Sequence, residues 1–397
     1  MTRDAERRNR LQDALESAGL DALVCGLPAN VLLVSGYWPV VGTSLAIVVR
    51  GGLTVLLVPK DEEELAKHGG ADEIHTYQPV SLDKLNTLPQ AQLPPLSALA
   101  RKLSLLQKRI GYEESGWYEA ASYAAMHLYR GSMSELLESA FDCPRLVAAD
   151  EQLVRLRSVK TSAELDRIRL ACRIAGEAFQ IGEKQLHPGL IESEAVELFR
   201  APLFINGISR EGVQRAGGFT FCMSGPNSAK ASGAYARSRA RRLAENDLVL
   251  VHCNSYADGY WTDITRTYCL GRIDDKQQKL YDAIAEASRA AREVIRPGNR
   301  AAEVDKATPD VLQQHGYGKE FKHPTGHGVG FSAINSHSQP RLHPQSPDVL
   351  ETGMVFNVEP AIYLEGYGGI RHCDMVALTA NGVEELTPFH PVPSAKV

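Results

Sequence analysis

The sequence holds no long apolar run: unbroken apolar stretches such as Leu45 to Val49 fall far short of the roughly 20 residues a membrane-spanning helix needs. No secretory leader is expected, because residues 1–19, MTRDAERRNRLQDALESAG, are charged throughout and contain no apolar h-region. No CxxC pair or regular spacing exists among the seven cysteines at 25, 143, 172, 222, 253, 269 and 373. Such an odd, scattered set argues against a disulfide framework and points to free thiols in a reducing cytoplasm. Nor is there a large excess of charge. A net charge of −5 gives no electrostatic footprint for nucleic acid, and the basic run Arg237 to Arg242 has neither zinc-finger spacing nor interleaved aromatics. That run reads as a solvated or substrate-facing stretch. Neither a nucleic acid nor a membrane is expected as a partner.

What is present is the composition of a globular protein. Hydrophobic residues at 44% and charged residues at 23% exclude a disordered or fibrous chain, and 397 residues exceed what one core usually supports. Two domains are therefore expected. The boundary is placed in the segment PRLVAADEQLVRLRSVK, giving an N-terminal domain of residues 1–153 and a C-terminal domain of residues 154–397.

The N-terminal part alternates helix and strand. Leu11, Ala14 and Leu15 predict a helix over 4–18, Ala22 to Cys25 a short buried strand, and Leu45 to Val49 with Leu53 to Val58 a hairpin about Arg50-Gly51-Gly52. The stretch from Leu82 to Leu105 is polar and proline-bearing and predicts no element. Beyond the boundary, Thr161 and Glu164 form a capping box opening a long helix, whose stripe runs Leu165, Ile168, Cys172, Ala175 and Phe179. Further helices are expected at 192–204, 276–295 and 301–314, and strands at 247–253, 260–269, 353–359 and 369–377. Helix-containing units interleaved with antiparallel strand pairs indicate an α+β fold.

Chemistry concentrates in the second half. Two strand runs flank Asp258-Gly259, a strong turn signal, so His252 and Asp263 lie on paired strands. A turn centred between Ala257 and Asp258 sets them directly opposite. A turn centred on Asp258-Gly259 pairs His252 with Thr265 instead, unless a bulge intervenes. Three histidines then follow, His323 and His327 in HPTGHGVG and His337 in SHSQP, a grouping that favours ligands or proton carriers over core filling. Glu359 ends the apolar run MVFNVE, where an unpaired carboxylate is costly and requires a metal or hydrogen bonds. In the last strand, alternation sends Arg371 and Cys373 to one face and His372 and Asp374 to the other.

Asp-x-Gly-Tyr-x-x-Asp-Ile-Thr-Arg-Thr, Thr-Gly-His-Gly-x-Gly, Val-Glu-Pro and Gly-x-Arg-x-x-Asp, in this order, resemble the catalytic domain of the pita-bread superfamily of prolidases, aminopeptidases P and creatinases. The N-terminal half, including NVLLVSGY at Asn30 to Tyr37, is similar to that family's smaller domain. The resemblance implies an N-terminal creatinase-like domain, a C-terminal pita-bread domain and a homodimer. It also implies a site of two Asp from the hairpin, the His of Gly-His-Gly, the Glu of Glu-Pro and a final Glu. Asp263, His327 and Glu359 match this set. His252 stands where the first Asp is expected and Cys373 where the last Glu is expected, while Ser232 replaces a His usual beside the substrate.

Losing two carboxylates removes the oxygens that hold two hard cations together, whereas imidazole and thiol suit one softer ion. The expected cofactor is therefore one divalent, zinc-like transition metal held by His252, Asp263, His327, Glu359 and Cys373. The alternative is a metal-free site, as in creatinases. His337, Glu359, His323 and Arg371 are the expected catalytic groups: His337 as donor to the developing oxyanion, Glu359 as proton acceptor, and Arg371 as a fork for a substrate carboxylate or, equally, as the ion-pair partner of Asp374 or another buried acid. The expected function is hydrolysis of a C–N bond in a dipeptide or other small amino-acid-derived substrate. Its rivals are a creatinase-like or cyclic-amidine hydrolysis and a non-catalytic peptide-binding role.

Overall fold

The structure is a computed structural model that describes residues 4–39, 43–79, 82–83, 86–114, 133–233, 237–334, 338–389 and 394–395. The chain forms two compact units that part between Arg157 and Ser158.

The first unit opens with α1 (Ala5–Ser17), capped by the Asp4 side chain, which accepts the Arg7 N–H. It continues through β1 (Ala22–Cys25), α2 (Pro28–Ser35), β2 (Leu45–Val49), β3 (Thr54–Pro59), α3 (Glu63–Ala66), β4 (Glu73–Tyr77), α4 (Leu88–Lys102), β5 (Arg109–Tyr112), α5 (Ser134–Ala140), β6 (Arg145–Ala148) and α6 (Asp150–Ser158). Its sheet runs β4-β3-β2-β1-β5-β6, with β2 and β3 forming the expected hairpin. Helix α4 lies in the stretch for which the sequence predicted no element. Pro94 and Pro95 sit inside it and read as breakers, but a Thr87–Gln90 capping box starts it and burial of Leu96, Leu99 and Ala100 holds it.

The second unit begins with α7 (Ser162–Glu183), where Thr161 Oγ1 accepts the Glu164 N–H and Glu164 accepts the Thr161 N–H, the predicted box. Then come α8 (Glu192–Gly207), β7 (Ala216–Ser224), β8 (Leu248–Ala257), β9 (Tyr260–Leu270), α9 (Asp275–Val294) and α10 (Ala301–Gln314). The chain closes with β10 (Val355–Val358), β11 (Ala361–Leu364), β12 (Gly368–Arg371), β13 (Asp374–Thr379), β14 (Gly382–Glu385) and β15 (Ser394–Ala395). Three sheets result, β15-β9-β8-β7, β10-β13-β14 and β11-β12, and α7 and α8 pack on the first over a core that includes Phe179, Phe199 and Tyr268.

Two features position the candidate residues. Asp258 and Gly259 both adopt positive φ, 48° and 82°, the tight turn that matches strand twist. The turn thus centres on Asp258-Gly259, pairing Ala257 with Tyr260, His252 with Thr265 and Asn254 with Asp263. Of the two registers open to the sequence, this is the second. The expected single strand over 369–377 is broken at His372–Cys373, because β12 pairs with β11 while β13 pairs with β10. At the break, Cys373 N–H donates to Thr265 O at 3.1 Å, which draws Cys373 against β9.

Candidate active site

His252, Asp263, Glu359 and Cys373 are buried and His327 is half-buried in the second unit, on β8, β9, the end of β10, the break before β13 and the loop before β10. His327 is clasped by Asn357: its N–H donates to Asn357 Oδ1 at 2.7 Å, and Asn357 N–H donates back to His327 O at 3.0 Å. His327 Nδ1 donates to Gly328 O at 3.1 Å, so Nε2 is the ring nitrogen that faces Asp263 Oδ2 at 3.5 Å and Glu359 Oε1 at 3.9 Å. Burial disfavours charging this ring, but the hydrogen bond and charge of Asp263, with Glu359, raise its pKa above the ordinary imidazole value. Burial also opposes the Asp263 carboxylate, yet His252, His327 and Arg371 bring it below the usual range. Glu359 goes the other way: burial, reinforced by the Asp263 charge, pushes it up to about 7 against the pull of Arg371.

The other two expected ligands are engaged differently. Thr265 Oγ1 accepts Arg371 Nε–H at 3.0 Å and lies 2.9 Å from His252 Nδ1, so its own proton is directed at that nitrogen. His252 is thereby a neutral ring protonated at Nε2, and burial lowers its pKa to about 4. Its Nδ1 stands 3.6 Å from Asp263 Oδ1, and its plane stacks on Phe221. The Cys373 thiol donates to Asp263 O at 3.2 Å and is held well above the usual thiol pKa by burial and by Asp263 and Glu359, away from the thiolate a metal prefers.

Arg371 joins this cluster through Nε and Nη1. Its Nη1 reaches Ala231 O and Tyr363 OH, both at 3.4 Å, and its Nε lies 4.0 Å from Glu359 Oε2. The ion pair with Asp374 does not form, because Arg266, Arg292 and His372 take that carboxylate at 2.7, 3.3 and 3.0 Å. His323 donates Nδ1–H to Pro324 O at 2.9 Å and accepts Tyr363 OH at Nε2 at 3.0 Å, and burial with the Arg371 charge lowers its pKa to about 4. His337 lies outside the described residues.

Three residues were missed in the sequence: Asn357, Thr265 and Tyr363. Strand alternation counted back from Glu359, or on from Asp263, puts Asn357 and Thr265 on the site's face and was the available signal. Asn357 matters most. With Oδ1 fixed by His327, its Nδ2 must point at Asp263 Oδ2, His327 Nε2 and Cys373 Sγ, at 3.4, 3.3 and 3.6 Å.

Residues 166–380 match the metallopeptidase family M24, and residues 7–159 match the creatinase/prolidase N-terminal domain. The chain belongs to metallopeptidase family M24. Among curated relatives it is 29% identical to an Xaa-Pro dipeptidase of Pyrococcus furiosus over 382 residues, which is 96% of this chain and 97% of the relative. An Xaa-Pro dipeptidase of Pyrococcus horikoshii is 28% identical with the same coverage. The crystal structure of the prolidase from Pyrococcus horikoshii superposes with a TM-score of 0.75 at 25% identity, covering 98% of this chain and 99% of that one. This M24 chain is accordingly a peptidase-type hydrolase with the two-domain α+β architecture, in a family that uses divalent metal.

Three of the residues carry donors of the kind a divalent ion takes. Asp263, His327 and Glu359 offer two carboxylates and an imidazole nitrogen turned toward each other, and the raised pKa of Glu359 marks a carboxyl without a full partner. As the side chains stand they do not converge on one point: among the described residues no group of three His, Cys, Asp or Glu is arranged to hold a metal. His252 presents an N–H and Cys373 a thiol, and the Asn357 amide protons stand between Cys373 and the Asp263–His327 pair.

Proposed function

We propose that this chain is a cytoplasmic, homodimeric Xaa-Pro dipeptidase that works with a single zinc-like divalent ion held by Asp263, His327 and Glu359. The observation that carries this reading is the buried Arg371 guanidinium beside that trio, whose Nη2 makes no hydrogen bond among the described residues. A buried fork with an open face is suited to a carboxylate, and a dipeptide places its C-terminal carboxylate one residue from the scissile bond. The seven cysteines, all free, support a reducing compartment.

Bound at the trio, a divalent ion supplies Lewis acidity toward the scissile carbonyl and its attacking water. Glu359 takes up a proton from the attacking water and returns it to the leaving nitrogen. Arg371 orients the substrate carboxylate, and Tyr363, bridging Arg371 and His323, keeps the guanidinium in place. His252 offers its Nε2–H as a hydrogen-bond donor. His337 is assigned the role of donor to the oxyanion on the family resemblance alone.

A metal-free, creatinase-like hydrolysis is the second reading, favoured by the Asn357 amide that donates where a cation would otherwise balance Asp263. The test compares an Xaa-Pro dipeptide with its C-terminal amide. Arg371 recognition predicts that the amide is cleaved at least about 100-fold less efficiently, and that Arg371→Met removes the difference. Equal cleavage of acid and amide overturns the dipeptidase reading, and undiminished hydrolysis in chelator selects the metal-free one.

A further inference from the structure

Against the strand that carries Arg371, and with Arg371 in its lining, a cavity of about 300 Å³ lies between α9 and strands β9 and β12. Tyr281, Ala285, Ser288 and Arg292 recur along α9 at helical spacing, so they form one stripe facing this space. Ser288 is only 3% exposed, and its hydroxyl has no hydrogen-bond partner among the described residues. A buried hydroxyl without a partner is costly and marks a place where a polar group is wanted. One helical turn on, Arg292 uses only Nη1, at 3.3 Å from Asp374 Oδ2 and 3.5 Å from Glu385 Oε1. Both contacts are longer than a full charge-assisted bond, and Asp374 is already held at 2.7 Å by Arg266 and 3.0 Å by His372. The Nε and Nη2 groups of Arg292 have no partner among the described residues and remain as a fork. Ile284, Ala285 and Ile370 give one part of the wall an aliphatic character, and Thr267, Gln278, Asp282, Arg371 and His372 complete it.

We infer that this cavity is a second ligand site, for a small monocarboxylate with a short aliphatic body. The carboxylate sits on the Arg292 fork with the Ser288 hydroxyl donating to it, since residues four apart on a helix lie one above the other. The aliphatic body covers Ile284, Ala285 and Ile370. A dianion such as phosphate is disfavoured, because Asp374 and Glu385 flank Arg292 and Asp282 lies on the same lining. Arg371 borders this cavity as well, but the site uses none of Asp263, His327 or Glu359.

The test is calorimetry of the full chain, as purified, with sodium butyrate and with inorganic phosphate as counter-probe. Butyrate is expected to bind at millimolar concentration, at least tenfold more tightly than phosphate. Arg292→Gln should weaken it at least tenfold. Ser288→Val, which places methyls in space that already exists, should abolish binding and raise the melting temperature. Binding should persist in His327→Ala. The inference is overturned if butyrate fails to bind, if phosphate binds equally well, if Ser288→Val binds like the parent protein, or if His327→Ala loses binding and so puts butyrate in the catalytic cluster.

Discussion

Asp374 and Glu359 are buried carboxylates on neighbouring paired strands, Asp374 lying opposite Val358, and the structure treats them in opposite ways. Asp374 is enclosed by Arg266, His372 and Arg292 at 2.7 to 3.3 Å, which hold it far below the usual carboxylate range against the effect of burial. The cationic groups nearest Glu359 among the described residues stand farther off, His327 at 3.9 Å and Arg371 at 4.0 Å, and burial pushes it up to about 7. A buried charge that is fully paired holds a fold together, while one left part-paired beside an imidazole is poised to move a proton or accept a cation.

The sharpest break is a matched pair of amide substitutions. Glu359→Gln should lower kcat on an Xaa-Pro dipeptide by about 10²–10⁴-fold with an unchanged or higher melting temperature. Asp374→Asn should do the reverse. It leaves two arginines short of a carboxylate and should cost about 3–5 kcal/mol in denaturant unfolding, with kcat per folded molecule retained. If both variants lose activity and stability together, the division of roles is wrong.

Acid–base linkage sharpens the contrast in protein stripped of metal. The Asp374 pKa is depressed, so its contribution is present above the unfolded value of about 3.9 and disappears as pH falls. The Glu359 pKa is raised, so its contribution is present below the unfolded value and is lost as pH climbs to about 7. Unfolding free energy followed from pH 3 to 8 should therefore fall on the alkaline side by on the order of 3 kcal/mol through Glu359, and Glu359→Gln should remove that fall. A slope on that side unaltered by Glu359→Gln contradicts the assignment.

A smaller effect concerns Asn357. Replacing His252 by Asp and Cys373 by Glu restores the ligand set the family resemblance implies, yet the Asn357 amide still points into it. A second Mn(II) is expected only when Asn357→Ser is added, counted by equilibrium dialysis. Two ions in the double variant alone would show that the amide is no barrier. The smallest effect is Cys373→Ser, which keeps a donor to Asp263 O and should change stability by about 1 kcal/mol or less and kcat by less than about threefold. A large loss of bound metal in that variant would make Cys373 a ligand after all.

Much of this was legible from local patterns. The capping box at Thr161, the Asp258-Gly259 turn and the burial of Glu359 at a strand end each follow from short-range chemistry. The hairpin register was open between two solutions until the positive φ of both turn residues fixed His252 opposite Thr265. The break at His372–Cys373 depends on β12 and β13 choosing different partners, which no periodicity reveals. Helix α4 was hidden because tertiary burial overrides its internal prolines. Asn357 escaped because strand alternation places it on the site's face but a neutral amide in an apolar run does not announce a role until its carbonyl is seen clasping His327.

The claim on which the rest depends is that Asp263, His327 and Glu359 together hold one divalent ion. Elemental analysis of protein purified without added metal, repeated on His327→Ala, tests it directly. The account predicts about one equivalent of a zinc-like metal per chain in the parent protein and none in the variant. Full Xaa-Pro hydrolysis by parent protein that carries no metal, or two equivalents per chain, would contradict it.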